Sequence, residues 1–291
     1  MNYTILGLNG GGMRGALQVG ALREISAERG EPYLYKVFHG GMYGISIGAI
    51  MSALIAFKFS IDDLSQFLEY LANIQHSVQP LRLQAFIGFG ATNGLDDGAQ
   101  MFKKLSDIFA VKGLDLETLK VGDAAVPLHI LASDITHLKI VRFGPSIRVW
   151  DALRASISLP FIFTPHAIGD SLFVDGAVLC TNIMTAIPKH QRGQTLLLMT
   201  THSASVTRDN YVGVLPFCRT IMESHNTQRE YPENTCLLVE DNTQMFSFWD
   251  NRGAIEKLLA VGREMYLLFR AKCRLQEASH DTDGSRAQVL V

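Results

Sequence analysis

Glycine is concentrated at one end of this chain: eleven of its 25 glycines lie in the first 50 residues. Glycine serves where backbone must turn tightly or come close to a ligand or another element. The pattern around those glycines therefore sets the fold class. Residues 3–8 (Tyr-Thr-Ile-Leu-Gly-Leu) read as a short buried strand, and Asn9 to Gly12 as a glycine loop. Residues 14–29 have helical periodicity, with Leu17, Gly20, Ala21, Leu22 and Ile25 near one face. Residues 40–45 read as a second strand, and residues 46–57 as a second, very apolar helix. Strand, helix, strand, helix in that order predicts an α/β fold with a parallel sheet.

The rest of the chain continues in kind. Ser60-Ile61-Asp62-Asp63 is a capping-box-like helix start ahead of Leu64, Phe67, Leu68 and Leu71. Residues 77–94 are less regular, and residues 97–110 read as helix. Strands are expected over 128–133, 139–143, 172–174 and 196–200, and helices over 149–157, 210–229 and 250–274. No internal repeat or interdomain linker interrupts the pattern. Residues 1–277 are read as a single domain and the small, polar stretch 278–291 as a disordered tail.

Composition narrows the function. Lys and Arg number 26 against 28 Asp and Glu, a net charge of -2, so no overall basic field is present to hold nucleic acid. The four cysteines, Cys180, Cys218, Cys236 and Cys273, are widely spaced with no CxxC pair. They predict reduced, buried thiols, neither a disulfide framework nor a metal site. The first residues carry no basic, apolar leader, and no apolar run approaches the ~18–20 residues that span a bilayer. The chain reads as soluble and cytoplasmic, with peripheral membrane contact compatible with that.

Three motifs carry chemistry. Gly44-Ile45-Ser46-Ile47-Gly48 is a G-x-S-x-G between a predicted strand and helix, the context that makes it informative. Such a turn pushes the serine out of the sheet edge, and the amide of Ile47 is placed to donate to an oxyanion. Asn9-Gly10-Gly11-Gly12-Met13-Arg14-Gly15 lays a row of backbone N–H groups before a helix, suited to a phosphate or a developing oxyanion. The same stretch fits a dinucleotide fingerprint at Gly10, Gly12 and Gly15, so a nucleotide-binding protein is the competing class. Against it, the second strand leads into a serine turn and not to an acid for a ribose, and Arg14 puts a cation in the loop. Asp175-Gly176-Ala177 ends the apolar run Leu172-Phe173-Val174 and sets a carboxylate at an accessible edge. Of the nine histidines, His166 is the best placed to serve Ser46, and it lacks a supporting motif. A carboxylate within hydrogen-bond reach can act as base directly.

Taken in order, Gly10 to Gly15, Gly44 to Gly48 and Asp175-Gly176-Ala177 resemble the patatin-like phospholipases. Gly94-Leu95-Asp96-Asp97-Gly98, Ala132-Ser133-Asp134-Ile135-Thr136 and the segment from Ala155 to Pro165 resemble further stretches of that family, over about residues 3–200. The chain departs from the family at Asn9, where many members carry Asp, and at Ile183, where proline is common. The resemblance implies a three-layer α/β/α domain with a mainly parallel central sheet. It also implies a Ser46–Asp175 dyad without a catalytic histidine, and an oxyanion hole formed by Gly10, Gly11, Gly12, Met13 and Arg14. Gly15, Gly44, Gly48 and Gly176 support these motifs. The implied reaction is hydrolysis of phospholipid or another acyl-ester lipid through an acyl-enzyme, with no metal and no cofactor. Acyl transfer or neutral-lipid hydrolysis on the same fold are its variants. Leu81, Leu83, Phe86, Ile87 and Phe89, with Phe161, Ile162 and Phe163, are candidates for an acyl channel or for ordinary core, and Trp150 and Trp249 read as core.

Overall fold

A computed structural model describes residues 3–74, 93–202, 231–240 and 252–287. The expected Leu81–Phe89 apolar cluster, the helix over 210–229, Cys218, His225 and Trp249 lie outside the described residues.

The opening follows the predicted order. Strand β1 (Ile5–Leu8) leads through a single 3-10 turn into helix α1 (Gly15–Arg29), and β2 (Gly41–Ile45) into α2 (Ile47–Ala56). All ten residues of α2 are buried, as its unbroken apolar sequence requires. Helix α3 (Ile61–Ile74) starts with the expected reciprocal cap: Ser60 N donates to Asp63 Oδ2 (2.7 Å), and Asp63 N donates to Ser60 Oγ (3.2 Å). The chain continues through β3 (Gly94–Asp96), α4 (Ala99–Val111), β4 (Leu128–Asp134), β5 (Lys139–Arg142) and α5 (Val149–Ser156). Then come β6 (Phe161–Phe163), β7 (His166–Ile168), β8 (Ser171–Asp175), β9 (Thr195–His202), β10 (Thr235–Glu240) and a final helix, α6 (Arg252–Ala287).

The central sheet runs β10-β9-β1-β2-β4-β8-β7, with β5 also on β4, while β3 and β6 form a separate parallel pair. From β10 to β4 every pairing is parallel, and β5, β8 and β7 add an antiparallel flank. Both faces of the central parallel strands are buried, so these strands carry near-continuous apolar runs. Leu196 and Leu198 join Leu6, Leu8 and Met42 on the face that carries the large helices. Leu197 and Met199 join Tyr43, Ile45 and Leu131 on the other, where Cys180, Ile183, Met184 and Ile187 cover them.

Helix α6 lies against α1 with backbones in close approach. A Cβ at Gly20 would strike the Leu259 carbonyl, and one at Gly262 the Leu17 carbonyl. Arg263 pairs with Glu24 (2.7 Å) and Arg270 with Glu28 (3.2 Å) along the same seam. The helix continues to Ala287, past Ala278, where a disordered tail was expected. Composition understates such a segment, because a helix already nucleated and packed adds further residues at little cost. Cys180, Cys236 and Cys273 are buried and unbridged. Trp150 packs on Phe102 (4.6 Å between rings) at the edge of the core.

Candidate active site

The sheet register places the two proposed catalytic side chains together. Ile45, the last residue of β2, faces Leu131 on β4. The next residue of β4, Ala132, faces Asp175, the last residue of β8. The antiparallel strand thus takes up β4 at the level where the parallel strand leaves it. Ser46 and Asp175 each stand one step from that junction, and the Ser46 hydroxyl is close enough to oppose the raised proton affinity of the Asp175 carboxylate.

Ser46 sits at φ 57° and ψ -127°, a conformation that costs a non-glycine residue on the order of 1–3 kcal/mol. Its flanking glycines make that turn possible. A Cβ at Gly44 would lie 2.5 Å from Ala49 Cα, and one at Gly48 would run into the Leu8 carbonyl of β1. Ser156 holds the turn from the other side: its Oγ accepts from Ser46 N (3.0 Å) and donates to the Leu131 carbonyl (2.7 Å). The Ile47 amide is in the first turn of α2, where helical N–H groups have no intrahelical acceptor.

Asp175 is 2% exposed. Burial pushes its carboxyl up to about 6, against the opposing pull of hydrogen bonds from Ser46 and from the Ala177 amide (2.9 Å). Its own amide donates to the Ser158 carbonyl (2.8 Å). Ser158 is in turn gripped by the buried Arg154, whose guanidinium donates to Ser158 Oγ (2.6 Å) and to the Thr164 carbonyl (2.8 Å). Ser133 Oγ donates to the Gly176 carbonyl (3.2 Å), so the turn after Asp175 is fastened on both sides.

The glycine loop packs over this pair. A Cβ at Gly10 would come within 3.2 Å of Ser46 Cβ, and one at Gly15 within 2.7 Å of Ile47 Cγ1. Two carbonyls of the loop are tied back. Thr200 Oγ1 donates to Gly10 O (2.7 Å), while the Arg14 amide (3.1 Å) and Nε (3.4 Å) donate to Gly11 O. In a planar trans peptide the N–H points opposite to the C=O. The amides of Gly11 and Gly12 are therefore turned away from Thr200 and Arg14. Gly12 itself lies at φ +56°, where glycine is the ordinary occupant.

The two departures from the family pattern turn out to be one structural unit. Asn9 Nδ2 donates to the Thr181 carbonyl (2.9 Å), and Asn9 Oδ1 accepts from the Ile183 amide (3.1 Å). A carboxylate at position 9 has no hydrogen to donate, and a proline at position 183 has no N–H to offer. Asparagine and a non-proline residue thus belong together, binding the glycine loop to the segment that follows Asp175.

Sequence reasoning missed Thr200, Ser156, Ser158 and Arg154 as supports. Ser156 and Ser158 fall in a stretch already matched to the family and Arg154 lies one residue before it, whereas Thr200 carries no local signal at all. His166 is bound elsewhere: its Nε2 meets Asp151 Oδ1 at 3.0 Å, and burial lowers its basicity. Phe161 is exposed, while Ile162 and Phe163 are half-buried. Among the described residues no three His, Cys, Asp or Glu side chains are grouped to hold a metal ion.

Comparison with known proteins bears on the family and the fold. The sequence profile described as patatin-like phospholipase matches residues 6–187. An uncharacterised protein, R571 of Acanthamoeba polyphaga mimivirus, is 24% identical over 182 residues, 59% of this chain and 57% of the viral one. An Escherichia coli protein named cUMP-AMP-activated phospholipase is 39% identical over 74 residues, 25% of this chain and 22% of its own. The chain thus spans less than two thirds of either relative. The crystal structure of VipD from Legionella pneumophila superposes with a TM-score of 0.55 at 16% identity, over 92% of this chain and 67% of VipD. That likeness is one of fold.

Proposed function

Since the chain belongs to the patatin-like phospholipase family, we propose that it is a lipid acyl hydrolase working through a Ser46–Asp175 dyad. The observation that carries this reading is the Ser46 hydroxyl beside a buried carboxylate whose proton affinity is raised to about 6. A base poised near neutrality can take the serine proton and later return it.

In the proposed cycle Asp175 accepts the Oγ proton as Ser46 attacks the ester carbonyl carbon. The tetrahedral oxyanion is held by amides of Gly10–Met13 and of Ile47, with Arg14 fixing the loop. Collapse expels the alcohol, which takes the proton from Asp175 and leaves an acyl-serine. Water then attacks the acyl carbon and gives a proton to Asp175. The second collapse returns that proton to Ser46 and frees the fatty acid. No step of this cycle uses a metal or a cofactor, and its substrate is a phospholipid or another acyl-ester lipid.

The test is labelling by a fluorescent fluorophosphonate, together with fatty acid release from phospholipid vesicles in excess chelator. The wild-type chain is expected to do both and Ser46→Ala neither. Release that survives in Ser46→Ala, or that stops on chelation in the wild type, would sink the reading. Thr200 tests the loop. Thr200→Val keeps the shape but frees the Gly10 carbonyl, so the amide that follows is no longer aimed. We expect kcat to fall about tenfold, part of what a lost oxyanion donor costs, with KM unchanged. Steady-state kinetics on a monomeric ester would show it.

A further inference from the structure

We propose that the tip of the β4–β5 hairpin, Ile135 to Leu138, is the part of the protein that seats on a lipid surface. The proposal rests on the lipid-hydrolase reading above and names the surface through which that site meets its substrate. Two apolar side chains stand out of this one turn: Ile135 is 37% exposed and Leu138 78%. Leu138 lies at φ +52°, in the left-handed region where glycine or asparagine is the cheaper occupant. The turn thus carries backbone strain at a residue whose side chain faces outward. Single exposed apolar residues are ordinary on protein surfaces. A strained leucine and an isoleucine on the same turn are not explained by packing.

The turn is held stiff. The buried Asp134 carboxylate accepts from the amides of Thr136 (3.0 Å) and His137 (3.0 Å) and from Ser171 Oγ (3.1 Å), and it meets His137 Nδ1 at 2.9 Å. Thr136 Oγ1 accepts from Leu172 N, and Ile135 N donates to Leu172 O, both at 2.9 Å. A pre-ordered tip loses little freedom when it inserts.

Its position fits. Ile135 stands three residues beyond Ala132, the position that faces Asp175. At ~3.3 Å per residue that sets the tip about 10 Å past the dyad, at the end of the sheet where the serine turn lies. Leu179, 43% exposed, belongs to the same region, its amide bound to Ser133 Oγ on β4 (3.1 Å). Lys139, exposed beside Leu138, has the reach to place its ammonium at the phosphate level while its stem lies along the acyl region. Asp170, on the turn between β7 and β8, is an exposed acid at the same end. Two apolar side chains are too small a patch for a stable protein interface, but they suffice as a shallow wedge among lipid head groups.

The test uses flotation with vesicles of phosphatidylcholine alone and of phosphatidylcholine with phosphatidylglycerol. Leu138→Asn, which suits the left-handed backbone, is combined with Ile135→Ser. We expect about a tenfold or larger loss of vesicle binding, in line with removing one to two buried aliphatic side chains, with the same or a higher melting temperature. Hydrolysis of a monomeric, short-chain ester should stay at the wild-type rate. Binding is also measured on Ser46→Ala, so surface contact is scored apart from hydrolysis. If the wild type floats and hydrolyses nothing while the hairpin variant fails to float, the hydrolase reading falls and the docking surface stands. A hairpin variant that floats as well as wild type, or a wild type that does not float on either vesicle, overturns the proposal.

Discussion

Asp175→Asn is expected to abolish turnover and to make the protein more stable. Among the described residues the Asp175 carboxylate is the base beside Ser46, so its replacement should lower kcat/KM about 10⁴-fold or more, as when a triad member is lost. Stability moves the other way because burial disfavours the charged form. The carboxyl is raised from 3.8 to about 6, so the fold binds a proton where the unfolded chain has released it. The sign follows from linkage: stability falls as pH rises from the unfolded value through the folded one. At 1.36 kcal/mol per pH unit this charge costs the native state roughly 3 kcal/mol at neutral pH. The neutral amide removes that cost and can still accept from the Ala177 amide. Denaturant unfolding at pH 7 should therefore show Asp175→Asn more stable, by up to about 3 kcal/mol, with the two proteins converging near pH 4. The same ionisation governs rate. The kcat/KM profile of the wild type should climb with pH and level off above an apparent pKa near 6. An Asp175→Asn chain that is less stable at pH 7, or a wild-type rate that is flat from pH 5 to 7, would contradict the assignment.

That trade explains which parts of the molecule could be read in advance. The parallel core was legible because β1, β2, β4 and β9 are buried on both faces, which forces near-continuous apolar runs bounded by glycine turns. The serine turn and the glycine loop were legible because Gly44, Gly48 and Gly10 stand where any Cβ would meet neighbouring atoms. Strand β8 was visible, but its role as the carrier of Asp175 was legible only through the resemblance to the family. That Asp175 meets Ser46 depends on β8 taking up β4 one residue beyond the end of β2, and no local signal states a register between strands so distant in sequence. Strands β6 and β7 went unread because Pro160 and Pro165 punctuate them like loops, and each is only three residues long. The supports were hidden for a different reason. Thr200, Ser156 and Asn9 act through one or two hydrogen bonds each to backbone groups of remote elements, contacts that leave no periodicity behind.

Gly48→Ala should be among the most damaging single methyl additions in the described residues. Gly48 is in the first turn of α2, and the space where its side chain would go is filled by backbone of β1: the Leu8 carbonyl oxygen and carbon, and the Asn9 carbonyl at 2.8 Å. A flexible side chain could move aside, but a strand held on both edges by β2 and β9 cannot. Relief must come from separating α2 from β1, which opens the core between them. Overpacking of this kind costs 1–3 kcal/mol when side chains can yield, and the unyielding backbone here puts the expected loss at about 3 kcal/mol or more. Activity should fall further than stability does. The displaced strand ends at Leu8, the glycine loop begins two residues later, and a shift on the order of 1 Å between that loop and Ser46 is enough to cost about 100-fold in rate. Gly12→Ala is the matched control. Its Cβ would meet nothing within 4 Å, and its cost is confined to the strain of φ +56°, on the order of 1 kcal/mol. Denaturant midpoints with kcat on a monomeric ester, measured for both, should rank Gly48→Ala well below Gly12→Ala on each axis. Equal losses would mean that the α2–β1 contact does not set the position of the loop.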